Sequence, residues 1–193
     1  MKSANFFTTA CVFEGSLAVI ALILGWLADI QPIAFVHLSE SALLIGVVAT
    51  LPLLLIFMTI QHLPYPSVKQ IKQLLESTLG LNLERLHWTD LMVLALIAGF
   101  SEELLFRGFL QPWLEQWGVS VGLIGSNLIF GLVHAVTPLY AIFATLTGLY
   151  LGLSMDYQGE RNLLIPIVIH SLYDFVAFLV ILRNFRQQLQ RAQ

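Results

Sequence analysis

Leu91-Met92-Val93-Leu94-Ala95-Leu96-Ile97-Ala98-Gly99-Phe100-Ser101-Glu102-Glu103-Leu104-Leu105-Phe106-Arg107-Gly108-Phe109-Leu110 reads as a membrane span with three ionisable groups near its middle. Such a run reaches the roughly 20 residues a helix needs to cross a bilayer. The rest of the chain agrees, since 58% of its 193 residues are hydrophobic and only 11% are charged, where soluble domains carry roughly 25%. A net charge of −3 without any basic block excludes nucleic acid as a partner. Cys11 is the only cysteine, so an internal disulfide and a thiolate metal cage are both excluded within one chain.

Outward from that run, apolar stretches predict spans near 8–28, 40–61, 90–112, 119–136, 138–155 and 163–182. The first is read as a retained helix, because no small-residue cleavage site follows it. The expected fold is all-α: a polytopic integral membrane helix bundle of about six transmembrane helices in one domain, 1–193, with a polar core in 90–182. Between the second and third spans, Val68, Ile71, Leu74, Leu75 and Leu79 recur at helical spacing, with Lys69, Lys72 and Glu76 placed opposite. That pattern predicts an amphipathic helix at the membrane surface. With six spans, Lys2, Lys69, Lys72, Arg85, Arg183, Arg186 and Arg191 share one side and Arg161 stands on the other. Lys and Arg favour cytoplasmic loops, so both termini are expected in the cytoplasm.

Ionisable residues concentrate in three spans: Glu102, Glu103 and Arg107, then His134, then His170 and Asp174. An unpaired Asp, Lys or Arg at a helix centre costs about 2.5–3.5 kcal/mol on insertion scales, so these groups must face one another or water. Residues four apart share a helix face, which pairs Glu103 with Arg107, Phe130 with His134, and His170 with Asp174. Glu102, left free and turned about 100° from Glu103, is a candidate base for water. One histidine could polarise that water while the other, beside Asp174, stabilises an oxyanion. Each pair alone also reads as structural: an ion pair, a headgroup-level histidine, a neighbour hydrogen bond. Their gathering on three helices favours a site. Glu14 in the first span has no role beyond a hydrogen bond between helices, and His37, His62 and His87 are read as solvated.

The order Glu102-Glu103-x-x-x-Arg107, Phe130-x-x-x-His134, His170-x-x-x-Asp174 resembles the CAAX protease and bacteriocin-processing family, which includes the Ras-converting prenyl protease. The resemblance covers roughly residues 90–182. It implies an intramembrane endopeptidase in which Glu102 and His134 activate water and His170 with Asp174 stabilises the oxyanion. Glu103, Arg107 and Phe130 would support them. The family often has asparagine where this chain has Asp174, and an aspartate donates a hydrogen bond only when protonated. The reaction needs either no cofactor or one divalent metal, zinc foremost, held by Glu102, His134 and His170. The expected partners are the lipid bilayer and a peptide or protein substrate, lipidated or not. A non-catalytic binding or immunity protein of the same fold is the alternative, and a small transporter is a further one.

Overall fold

The computed structural model describes residues 3–191, so Lys2, one of the cations behind the expected orientation, lies outside the described residues. The chain is all-helical: α1 (Ser3–Leu27), a 3-10 turn (Pro32–Phe35), α2 (Glu40–Gln61), α3 (Pro66–Glu84), α4 (Trp88–Glu103), a π-helix (Leu104–Leu110), α5 (Gln111–Glu115), α6 (Val119–Val133), α7 (Pro138–Ser154) and α8 (Leu164–Arg191). Local chemistry starts these helices where the sequence allows. Ser39 accepts from the Ala42 N–H, His87 and Asp90 form a reciprocal capping box, and Thr137 caps α7 ahead of Pro138.

Among the described residues, three helices are long and apolar enough to cross a membrane: Phe6–Leu27, Glu40–Gln61 and Leu164–Arg191. Their outward faces carry exposed Val12, Trp26, Leu44, Val48 and Leu55, while Glu103, Arg107, Asn127 and His170 are buried. Apolar groups outside and paired polar groups inside is the distribution lipid demands. The chain is therefore an integral membrane helix bundle.

The remaining expected spans differ in detail. The run 90–112 is one continuous helical rod in three parts, because its last turns widen into the π-helix. Pro112 supplies the reason: it has no N–H to offer the carbonyl four residues back, at Gly108, and its ring crowds that carbonyl. The Gln111 N–H instead bonds the Phe106 carbonyl, five residues back. Helices α6 and α7 are 15 and 17 residues long, shorter than a full crossing, and they pack side by side as a hairpin. The expected span 119–136 accordingly ends at Val133, with His134 as its C-cap.

Two surface expectations are corrected. Helix α8 runs on past 182 to Arg191, and α3 packs against it rather than lying alone. Glu76, assigned to the polar face of α3, is buried and accepts a hydrogen bond from Gln188 on that extension. Periodicity within α3 could not anticipate a polar partner more than a hundred residues away.

Close helix approach is set by small residues. A methyl group on Gly99 would run into Ser171, which brings α4 and α8 together at the level of the polar cluster. At one end of the bundle Asn162 clasps the chain, donating from Nδ2 to the His37 carbonyl at 2.8 Å while its Oδ1 accepts from the His37 and Leu164 N–H groups. These contacts fix where α8 begins, and so where His170 and Asp174 point.

Candidate active site

Glu102 and Glu103 end α4, Arg107 sits in the π-helix, His134 caps α6, and His170 and Asp174 lie in the first turns of α8. The fold brings all six into one cluster. Glu103 and Arg107 are fully buried and joined at 2.9 Å. The same Glu103 oxygen, Oε1, also accepts from His170 Nδ1 at 2.8 Å. Glu103 thus links the arginine to a histidine on another helix, a contact that the spacing within α4 does not reveal.

Arg107 is held through both Nη groups, while its Nε is buried without a hydrogen-bond partner. Nη1 donates to Glu103, and Nη2 donates to Asn127 Oδ1 at 2.8 Å and to the Gly148 carbonyl at 3.0 Å. Its guanidinium carbon lies 4.4 Å from the centre of the Phe130 ring, a favourable cation–π placement. The planar fork of arginine suits this set of acceptors. Gly148 must remain a glycine here, since a Cβ would come within 2.7 Å of Asn127 Oδ1 and 3.0 Å of Arg107 Nη2. Asn127 and Gly148 were missed in the sequence. Asn127 did carry a signal, because it precedes Phe130 by three residues and His134 by seven, on one face of α6.

His134 Nδ1 contacts the Phe130 carbonyl at 2.8 Å. A carbonyl can only accept, so Nδ1 carries the hydrogen and Nε2 is turned to Glu102, 3.4 Å from Oε2. That separation is at ion-pair range and long for a hydrogen bond, and Glu102 Oε2 is buried without a hydrogen-bond partner. His170 presents Nε2 to Asp174 Oδ2 at 3.6 Å, so the expected neighbour pair is a loose contact and the close partner of His170 is Glu103. The Phe130 ring packs near both histidines, its centre 4.4 Å from that of His134 and 6.1 Å from that of His170.

Glu102, His134, His170 and Asp174 open into one cavity of about 550 Å³, walled by α1, α2, α3, α4, α6, α7 and α8. Its lining is otherwise mostly apolar, with Tyr140, Tyr173 and Glu14 the further polar groups of note. As a metal centre the set fits poorly: among the described residues no three His, Cys, Asp or Glu side chains converge to hold an ion. With Nδ1 of each histidine held by Glu103 or the Phe130 carbonyl, the nitrogens turned to the other carboxylates are the two Nε2 atoms.

Outside the cavity, Arg161 forms a second ionic cluster, bonding Glu115 at 2.8 and 3.0 Å and Asp156 at 3.1 and 3.2 Å. Burial alone would pull the Arg161 pKa down, but its hydrogen bonds to Glu115 and Asp156 outweigh this and raise it above the ordinary value. This cluster ties the ends of α5 and α7 to the segment leading into α8.

Together the bundle and its enclosed carboxylate–histidine cluster define an all-helical membrane protein with an intramembrane polar site. Residues 84–176, just under half of the chain, match the family model described as Type II CAAX prenyl endopeptidase Rce1-like. A relative is the uncharacterised protein YpbD of Bacillus subtilis (strain 168), 31% identical over 87 residues. That match spans 45% of this chain and 42% of YpbD, less than half of either protein. No solved structure gives a significant match.

Proposed function

We propose that the chain is an intramembrane endopeptidase that hydrolyses peptide bonds of membrane-associated peptides or proteins. The observation that carries this reading is the pairing of Glu102 Oε2, buried and without a hydrogen-bond partner, with His134 Nε2 at 3.4 Å on the wall of a mostly apolar cavity. A water held between the two loses a proton to Glu102 as its oxygen bonds to the substrate carbonyl carbon. His170, protonated on both ring nitrogens with Nδ1 held by Glu103, donates from Nε2 to the oxyanion as an imidazolium. Asp174 beside it accepts a backbone N–H of the substrate, a task that suits a carboxylate better than donation to an oxyanion. When the tetrahedral intermediate collapses, the C–N bond breaks and the proton on Glu102 passes to the leaving amine.

Glu103 and Arg107 act here as positioning residues, and Phe130 packs against the histidines. The match to a family described as prenyl endopeptidases supports the reading, and a lipidated peptide is one substrate class to include in any test. Both termini are proposed to face the cytoplasm, as the distribution of Lys and Arg suggests.

Purified protein should cut membrane-tethered peptides and leave one ¹⁸O atom from labelled water in the new C-terminal carboxylate. Activity that survives exhaustive chelation supports water activation by Glu102 and His134 alone. Activity lost to a chelator and restored by zinc would replace that mechanism with a metal-assisted one.

A further inference from the structure

Glu14 is the ionisable residue that the proposed chemistry leaves unused. It lies on α1, outside the segment that matches the family model. Phe6, Thr9, Ala10, Phe13 and Glu14 line the cavity together, at the spacing that puts them on one helix face. Glu14 is thus aimed into the same space as Glu102, His134, His170 and Asp174.

Its carboxyl oxygen Oε2 is buried with no hydrogen-bond partner, and among the described residues Glu14 forms no ion pair. The cavity lining includes three carboxyl groups, Glu14, Glu102 and Asp174, and neither lysine nor arginine. Its two bases are already engaged, His134 by Glu102 and His170 by Glu103 and Asp174. Arg107, the arginine of the cluster, is outside the lining and engaged by Glu103, Asn127 and Gly148. His134 and His170 act on Glu14 only through charge at a distance, without contact, so as an anion this carboxyl group is poorly placed in an apolar wall unless the occupant brings a cation to it.

We infer that Glu14 is a specificity-determining residue that selects peptides carrying a lysine or arginine side chain beside the cleaved bond. This rests on the protease reading and adds the charge of the substrate to it. The cationic side chain enters the cavity with the scissile bond and pairs with Glu14, while a peptide with an acidic side chain at that place is rejected by like charge.

The test uses the full chain in detergent and a set of membrane-tethered peptides identical except for Lys, Gln or Glu at each position flanking the cut. For wild type, kcat/KM at one of these positions should favour Lys over Gln by about 10-fold and Gln over Glu by a similar factor, the scale of a single charge pair in a partly buried site. Glu14→Gln should lose the kcat/KM preference for Lys over Gln, whatever its absolute rate, and Glu14→Lys should favour the Glu peptide. An unchanged Lys preference in Glu14→Gln, or no preference in wild type, would overturn the inference. Equilibrium binding of the same peptides separates the two levels. A Lys preference in binding that depends on Glu14, without cleavage of any peptide, would uphold charge selection and remove the protease reading. Cleavage with flat binding and flat kcat/KM would do the reverse.

Discussion

Arg107 and Glu103 show why a membrane interior can hold charges that water would ordinarily have to solvate. Every close partner of the arginine is an acceptor or an aromatic face, and its carboxylate also orients His170. Removing the arginine strands Glu103, and orphaning one member of a buried pair costs about 3–5 kcal/mol. Arg107→Ala should therefore lower thermal stability in detergent sharply. Arg107→Lys should restore only part of it, because an ammonium lacks the planar fork that reaches Glu103, Asn127 and Gly148 together. Equal stability of Arg107→Lys and wild type would argue against that geometry. That Glu102, His134, His170 and Asp174 gather at one place was legible because ionisable side chains stand out in apolar runs. The bond between Glu103 and His170 was not, since a contact between helices 67 positions apart has no period to betray it.

Among the elements, α6 and α7 depend on a close approach that one methyl group would obstruct. Gly148→Ala places a carbon against Asn127 and Arg107, and overpacking of this kind costs about 1–3 kcal/mol. The expected sign is destabilisation, read as a lower melting temperature, with the larger Gly148→Val worse. A stable Gly148→Val would mean that the two helices have room to part. The π-helix was hidden in the sequence because a 3.6-residue period was assumed throughout, although Pro112 marked the place where the period had to fail. The amphipathic stripe of α3 was read correctly as a helix but wrongly at Glu76, whose partner Gln188 belongs to a helix extension that hydropathy ends too early. Apolar runs locate membrane helices well and their polar continuations poorly.

For the whole molecule, six expected spans become three long helices, one helical rod interrupted by a π-helix, and a short helix hairpin. The hairpin turns at His134–Thr137, which lets a histidine at the end of one helix reach a carboxylate at the end of another. The orientation has its own test in a Cys11→Ser background. Glu160→Cys beside Arg161 should react with a membrane-impermeant thiol reagent applied outside intact cells. Gln190→Cys near the end of α8 should react only after the cells are opened. Both positions are exposed, so the reverse labelling pattern would invert the proposed topology.

Cleavage of membrane-tethered peptides, lipidated and unlipidated, by wild type, Glu102→Ala and His134→Ala tests the proposed chemistry most directly, with each variant's folding checked by thermal unfolding. The expected result is cleavage by wild type and a loss on the order of 10²–10⁴-fold in each folded variant, the usual contribution of a positioned acid–base group. Cleavage by Glu102→Ala at the wild-type rate, or peptides bound but left intact by wild type across the whole panel, would contradict it.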